Sequence, residues 1–266
     1  MRDDYLVKPV LKAMQVLDCI CSSDQALSLQ HVSVEVALPK TTVFRYLRTL
    51  VQSGLLSYDP ERDVYGVGLK IITWGRSNAR LRNLRDVCIP HMRALRERFG
   101  ETVNLGVLDG AEIVYIEIAE SQHALRMQAK VGGRDPAYTT AIGKAILSQM
   151  AEDERLRHIP AKLRARTGRT LRSLAQLALE LDRARSQGFA EDNGENEEGS
   201  VCVGVPIVEP GGAPIAGLSI SAPASRLDAA RKAQFASTLR RIAGEISHGL
   251  DAPRPKTMTS AIRRQA

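Results

Sequence analysis

One stretch of this sequence, residues 36–58, carries basic and hydroxyl side chains but no acidic residue. The side chains that stand out are Lys40, Thr41, Thr42, Arg45 and Arg48. An arginine can bind the O6 and N7 atoms of guanine through two hydrogen bonds, and a threonine can contact a thymine methyl or a phosphate oxygen. These residue types are therefore typical of contact with the major groove of DNA. The alternative is an ordinary helix with a solvated polar face.

A helix is needed to present these side chains together. Aliphatic residues recur at helical spacing over 43–51, which predicts a third helix over about 39–53 with an apolar stripe turned inward. Gly54 suits the C-terminal cap of that helix. The basic and hydroxyl side chains then lie on the outer face, and the first backbone N–H groups of the helix are free to bind phosphate.

Two helices precede this one, and a hairpin follows it. The predicted elements are helices over 9–23 and 28–36 and strands over 55–58 and 64–67. Ser28 suits the N-cap of the second helix. Three helices followed by a hairpin form the winged helix-turn-helix arrangement. Arg62, in the turn of the hairpin, would reach the DNA backbone.

Length and composition limit the class of protein. The 266 residues suggest two modest domains, and 44% apolar with 25% charged residues is typical of globular proteins. The formal net charge of +7 favours an anionic partner. The four cysteines form no CxxC pair, which fits a reducing, cytoplasmic compartment. No apolar run approaches the ~18 residues of a membrane span, so we expect neither membrane insertion nor secretion.

The rest of the chain mixes strands and helices without the regular alternation of a parallel sheet. Asp109-Gly110 predicts a tight turn between two strands, and Gly188 the end of a long helix. The predicted helices cover 69–98, with a kink or break at Pro90, then 139–150, 170–187 and 225–250. The predicted strands cover 102–108, 113–118, 125–131, 201–208 and 214–221. This pattern predicts an α+β fold with helices beside an antiparallel sheet.

Motifs along the chain resemble those of the IclR-type bacterial transcriptional regulators. In chain order they are 38–50 (LPKTTVFRYLRTL), 64–69 (VYGVGL), 100–105 (GETVNL), 131–136 (VGGRDP), 140–147 (TAIGKAIL), 185–189 (RSQGF), 192–199 (DNGENEEG), 202–206 (CVGVP) and 218–223 (LSISAP). They occur in the expected order across roughly residues 9–250, which makes the resemblance more specific than any single motif.

The resemblance implies a domain organisation and a function. It implies a winged helix-turn-helix domain over 1–68, a helical linker used in dimerisation over 69–98, and a GAF-like effector-binding domain over 99–250. Residues 251–266 are expected to form a disordered tail. The function implied is a transcriptional regulator that binds double-stranded operator DNA, expected to be palindromic, as a homodimer or homotetramer. Its effector would be a small organic or aromatic acid.

Two sets of site residues follow. The predicted DNA contacts are Lys40, Thr41, Thr42, Arg45, Tyr46, Arg48 and Arg62. By the resemblance, the effector contacts are the backbone N–H groups of Ala141 and Ile142 and the side chains of Asp192, Glu195, Cys202, Ser219 and Ser221. Amides at a helix N-terminus bind carboxylates, and alternate residues of a strand share one face. Alternatively, the two serines face solvent and Cys202 is a small core residue.

The sequence departs from the family pattern at two places. The turn before the third helix usually contains a glycine, and here it contains Ala37. That turn must avoid a left-handed residue, or it costs about 1 kcal/mol. The acidic loop over 191–198 is also richer in asparagine and glycine than usual.

Other classes of function have little support in the sequence. The chain has no G-x-S-x-G, P-loop, G-x-G-x-x-G or H-E-x-x-H motif. The five histidines show no paired spacing, so no metal and no cofactor are expected. A thiol-dependent hydrolase built on Cys202, Asp192 and a distant histidine is one alternative. A ligand sensor that acts through protein contacts is another.

Overall fold

The computed structural model describes residues 5–75, 78–209 and 211–251. They divide into two compact units, one ending at Arg82 and the other beginning at Asn83. Each unit has its own hydrophobic core. The predicted tail after residue 251 and Pro210, in the predicted turn between the last two strands, lie outside the described residues.

The first unit consists of three helices, a hairpin and a fourth short helix. Its elements are α1 (Lys8–Cys21), α2 (Leu29–Glu35), α3 (Lys40–Gln52), β1 (Leu56–Asp59), β2 (Val64–Val67) and α4 (Leu69–Gly75). β1 and β2 pair antiparallel, and Leu27 forms an additional bridge to Tyr65 of β2. Val16, Val32 and Leu47, one from each of the first three helices, are fully buried together. The predicted winged helix-turn-helix arrangement is confirmed.

The turn between α2 and α3 contains a left-handed residue. Ala37 has φ 51°. The hydrogen bonds around it are those of a helix that ends in glycine: the N–H of Leu38 donates to the carbonyl of Ser33, and the N–H of Ala37 donates to the carbonyl of Val34. The hydroxyl of Ser33 also donates to the carbonyl of Leu38 at 2.7 Å. These bonds hold an alanine where a glycine would be free of strain.

We expect Ala37→Gly to raise the free energy of unfolding of the first unit by about 1 kcal/mol, because glycine removes the left-handed strain. Gly54 provides a matched control at the end of α3, with φ 78° and only ordinary contacts around its position. Gly54→Ala should lower stability by a similar amount. Urea denaturation of the full chain followed by circular dichroism measures both, and equal shifts in the same direction would contradict the argument.

The second unit is built on one antiparallel sheet. Its elements are α5 (Ala79–Phe99), which begins just before the boundary, then β3 (Thr102–Asp109), β4 (Glu112–Ala119), β5 (Arg134–Pro136), α6 (Ala141–Gln149), α7 (Glu152–Arg155), α8 (Leu174–Gln187), β6 (Ala190–Asp192), β7 (Ser200–Val208), β8 (Pro214–Pro223) and α9 (Ala229–Asp251). The strand order is β5-β4-β3-β8-β7-β6, and all described pairs are antiparallel. The predicted α+β fold is confirmed.

The two faces of this sheet have different neighbours. On one face, alternate residues of the central strands, such as Val103, Val203 and Ile220, are buried against α5 and α9. On the other face, α6 and α8 pack near the β4 side chains Ile113 and Tyr115. Because neighbouring residues of a strand point to opposite faces of the sheet, the residues next to Val103, Val203 and Ile220 in each strand point to the α6 side.

Several predicted boundaries are wrong. No strand is present over 125–131, because the carbonyls of Leu125 and Met127 accept hydrogen bonds from side chains instead of a neighbouring strand. The strand that pairs with the free side of β4, opposite β3, is instead β5, a few residues later. The helix predicted to begin at 170 begins after the N-cap Ser173, since the hydroxyl of Thr170 bonds the neighbouring loops.

The two helices predicted at the ends of the second unit also differ. The last one begins at Ala229 rather than 225, and a separate short 3₁₀ turn covers Ala224–Arg226. The predicted linker over 69–98 forms two helices, α4 and α5. The second continues through Pro90 without a break.

Candidate DNA interface and ligand cavity

The outer face of α3 is cationic and accessible. Lys40, Thr41, Arg45 and Arg48 are exposed. Thr42 and Tyr46 are half-buried, and Tyr46 packs against the core of the first unit. Within the described residues, none of Lys40, Arg45, Arg48 and Arg62 forms an ion pair. These cations are therefore available to phosphates or bases.

Phe44 is also on this face and is 45% exposed, although it is not among the DNA contacts predicted from the sequence. The sequence did contain a signal for Phe44, because it is a large apolar residue next to an arginine on the predicted outer face of the helix. Phe44 adds an apolar surface next to Arg45, of the kind that contacts a thymine methyl.

The tip of the wing is ordered by its own acidic residues. The Oδ1 atom of Asp59 accepts hydrogen bonds from the backbone N–H groups of Glu61 and Arg62. Asp63 accepts one from the hydroxyl of Tyr58 at 2.9 Å. The two aspartates shape the turn that exposes the side chain of Arg62.

A small polar cavity lies in the second unit between the sheet and the start of α6. Its volume is about 50 Å³. Its wall includes six of the seven predicted effector contacts: Ala141, Ile142, Asp192, Cys202, Ser219 and Ser221. Register explains the grouping, because Ser221 pairs with Cys202, and Ser219 pairs with Gly204 on one side and Asn104 on the other. All of these point to the α6 side of the sheet.

Glycines let α6 approach the sheet closely. A Cβ atom at Gly204 would lie 2.7 Å from the carbonyl carbon of Ala141. One at Gly217 would lie 2.8 Å from the Ile142 side chain, and one at Gly106 would lie 2.6 Å from the Ile113 side chain and 3.3 Å from that of Ile142. Because these strand positions carry no side chain, the first turn of α6 rests on the sheet and its N-terminus reaches the cavity wall.

The first turn of α6 is only partly capped. The hydroxyl of Thr140 accepts a hydrogen bond from the N–H of Gly143. That bond uses the third N–H group of the helix and leaves those of Ala141 and Ile142 for another acceptor. Both residues line the cavity, so an anion there would meet the positive end of the helix dipole.

Glu195 does not line this cavity. Its carboxylate accepts a hydrogen bond from the Nζ atom of Lys144 at 2.5 Å, and Lys144 is completely buried within α6. A buried charge without a partner would be strongly destabilising. We infer from this ion pair that Glu195 neutralises the charge of Lys144. The contact between Glu195 and an effector stays a prediction.

Asp192 is the buried carboxylate that does line the cavity. Its Oδ1 atom accepts hydrogen bonds from the N–H groups of Glu195 and Asn196. Burial raises the pKa of Asp192 to about 6, although those N–H groups and Lys144 oppose the shift. The cavity therefore changes charge within the pH range near neutrality.

Cys202 is a protonated thiol at neutral pH, because burial raises its pKa to about 12. Its Sγ atom lies 3.6 Å from the hydroxyl of Ser200. Among the described residues, no group of three His, Cys, Asp or Glu side chains is arranged to hold a metal ion. In the same part of the chain, no helix is both long and apolar enough to cross a membrane.

Sequence reasoning missed several residues of the cavity wall. Those with side chains suited to ligand contact are Asn104, Tyr115, Asp135, Asn196 and Ser200, and the outer wall consists of Met127, Gln128 and Ala129. Asn104 had a detectable signal, since it is a polar residue between Val103 and Leu105 in a predicted strand. The outer wall had none, because it belongs to an irregular segment.

Two family models together match most of the chain. The IclR helix-turn-helix domain matches residues 9–60, and the bacterial transcriptional regulator IclR C-terminal domain matches residues 78–248. The transcriptional regulator KdgR of Escherichia coli is 35% identical over 243 residues, which cover 91% of this chain and 92% of KdgR. The transcriptional repressor IclR of the same species is 31% identical over 244 residues, covering 91% and 89%.

Solved structures share the fold. The crystal structure of Thermotoga maritima IclR is 31% identical with a TM-score of 0.76, covering 92% of this chain and 99% of that one. An IclR homologue from Microbacterium hydrocarbonoxydans, crystallised with 4-hydroxybenzoate, is 23% identical with a TM-score of 0.78, covering 92% and 100%.

The winged unit and the cavity-bearing unit thus define a transcriptional regulator with a DNA-binding domain and an effector-binding domain. Within that class, this chain belongs to the IclR family.

We expect Asp192→Asn to stabilise the protein by about 3 kcal/mol at pH 7.5. The folded pKa of about 6 lies above the usual 3.8, so the folded state holds a proton that the unfolded state releases, and stability falls as pH rises from 3.8 to 6. Asparagine has no such cost. The gain should nearly disappear at pH 3, where the carboxyl is largely protonated in both the folded and the unfolded wild type, and thermal denaturation at the two pH values measures it.

The neighbouring Glu191 is a control with the opposite sign. Burial alone would raise its pKa, but hydrogen bonds from Lys232 and Asn193 lower it overall. Glu191→Gln should therefore destabilise the protein at pH 7.5. A stabilising effect of both substitutions would show that loss of negative charge in general, and not burial of Asp192, is responsible.

Proposed function

We propose that this chain binds a palindromic operator as a homodimer or a dimer of dimers, and that a small organic acid in the cavity of the second unit modulates that binding. The observation that carries the proposal is the pairing of two features in one chain. One is an α3 face of accessible cations, and the other is a cavity that joins a helix N-terminus to two serine hydroxyls.

Arg45 and Arg48 are proposed as the main contacts of α3 with the bases, with Lys40, Thr41, Thr42, Tyr46 and Arg62 at the backbone or groove edge. Both arginines are exposed on the helix that follows the turn of the motif. One recognition helix contacts only a few base pairs, so specific binding requires two half-sites related by symmetry. This requirement supports a dimer and a palindromic site.

We expect Arg45→Ala to weaken operator binding by about 1–3 kcal/mol and to relax the base preference at one position of each half-site. The operator is first selected from a random DNA library by the wild-type chain, and gel-shift titration of single-base variants measures both effects. Lys12→Ala, which removes a positive charge from the exposed face of α1, is the control and should leave base preference unchanged. Unaltered affinity and preference in Arg45→Ala would refute the assignment.

The size of the cavity favours a small acid. An IclR homologue of 23% identity is complexed with 4-hydroxybenzoate, but cavities that hold a benzene ring are on the order of 150 Å³. The cavity here is about 50 Å³. Of the two effector classes expected from the sequence, a small organic acid is therefore the better fit. Its carboxylate would accept hydrogen bonds from Ser219, Ser221 and the N–H groups of Ala141 and Ile142.

The same contacts argue against catalysis. A thiol with a pKa of about 12 is a poor nucleophile at neutral pH, and the residues lining the cavity include no histidine that would act as its base. We therefore propose that the cavity binds its ligand without transforming it. Cys202 and Asp192 are then contacts of a sensor rather than parts of a hydrolase.

We expect the double substitution Ser219→Ala and Ser221→Ala to raise the acid concentration needed for half-maximal change in operator binding by about tenfold. The hydroxyls bind the ligand and not DNA, so operator affinity without ligand should match the wild type. Ser237→Ala, an exposed serine on α9, is the control. Lost operator binding in a folded double variant, with ligand affinity intact, would place the effector elsewhere.

A further inference from the structure

Asn104 is a buried polar residue at the centre of the sheet whose hydrogen bonding is incomplete. Its side chain lines the cavity, and the residue is only 4% exposed. The Nδ2 atom donates to the hydroxyl oxygens of Ser221 at 3.0 Å and Ser219 at 3.4 Å. The Oδ1 atom is buried and has no hydrogen-bond partner among the described residues.

These bonds fix the polarity of the cavity. Each serine oxygen accepts a hydrogen bond from Asn104, so its own proton is left for another acceptor, and at Ser221 the Sγ atom of Cys202 competes for that proton. The serines and the N–H groups at the start of α6 therefore offer donors, which suit a carboxylate. The Oδ1 atom of Asn104 is instead a hydrogen-bond acceptor. Leaving a buried acceptor unpaired lowers the stability of the folded state.

We propose that Asn104 determines effector specificity by accepting, through Oδ1, a hydrogen bond from a hydroxyl group of the ligand. The effector is then a small hydroxylated carboxylate, such as a short hydroxy acid, rather than a simple fatty acid. This inference rests on the proposed binding of an organic acid in the cavity. It adds the second functional group that the ligand must carry.

Charge within the cavity agrees with this orientation. Asp192 lines the cavity on the opposite side of the serines from Asn104, and Asp135 and Glu197 line it as well; when ionised, these carboxylates repel the carboxylate of a ligand. The carboxylate is thereby directed to the serines and the helix N-terminus, where donors are concentrated. A hydroxyl group of the ligand beside Asn104 then satisfies the Oδ1 atom.

Isothermal titration calorimetry of the full chain with three-carbon acids tests the proposal. The probes are propionate, lactate, 3-hydroxypropionate and pyruvate, which differ at one carbon and share the carboxylate. We expect at least one of the two hydroxy acids to bind the wild type about tenfold or more tightly than propionate, because propionate leaves Oδ1 unpaired. Asn104→Leu, which has similar volume and no acceptor, should reduce this ratio to near one.

The ratio of affinities separates specificity from structural damage. A variant that merely distorts the cavity weakens all four acids together and keeps the ratio. The serine double variant described above should behave in that way, because it removes donors for the carboxylate that all four acids share. If Asn104→Leu fails to fold, as judged by circular dichroism, Asn104→Ala provides the same measurement with a smaller side chain.

Three outcomes are decisive. Binding of the acids without a preference for a hydroxyl, or a preference that persists in Asn104→Leu, overturns the role of Asn104 and leaves the proposed function intact. Tightest binding of pyruvate, with dependence on Asn104, overturns it as well, because the amide would then present its NH₂ group to a carbonyl. Absence of binding by all four acids overturns the proposed binding of a small organic acid in the cavity.

Discussion

The second unit depends on a close approach between the first turn of α6 and the middle of its sheet. That approach is possible because Gly106, Gly217 and Gly204 lie on three adjacent strands and present no side chain to the helix. Packing in protein interiors leaves no room for even one added methyl group at such positions. The helix N-terminus is thereby fixed against the strand residues that complete the cavity.

The same contact explains why so much polarity is buried at this point. Lys144 projects from α6 into the interior and is neutralised by Glu195. The backbone N–H of Glu195 in turn donates a hydrogen bond to the Oδ1 atom of Asp192, which orders the loop between them. Loop, helix and sheet are therefore held by one set of charged and polar contacts. A cavity of this kind has fixed donors and acceptors before any ligand enters, and little reorganisation is needed on binding.

The sequence was sufficient for the fold class and for most of the elements, and physical reasons separate what could be predicted from what could not. Strong periodicity and local caps identified α3 and the turn after it, and strand alternation placed Ser219 and Ser221 on one face. The predicted strand was wrong where backbone carbonyls accept hydrogen bonds from side chains instead of from the backbone of a neighbouring strand, as at Leu125 and Met127. Long-range partners were also invisible, such as Lys144 for Glu195. The left-handed Ala37 was foreseen only as one of two possibilities.

The outer wall of the cavity has a mechanical consequence for the regulator. Met127 is tied to Thr102, and Leu125 to Arg226, whose guanidinium binds the fully buried carboxylate of Glu101 at 2.8 and 2.6 Å. Glu101 and Thr102 come just after α5 ends at Phe99. The same group of hydrogen bonds thus joins the outer wall of the cavity to the residues that follow α5. An occupant that displaces Met127 therefore acts, through the hydrogen bond between them, on Thr102, which lies three residues after the last residue of α5.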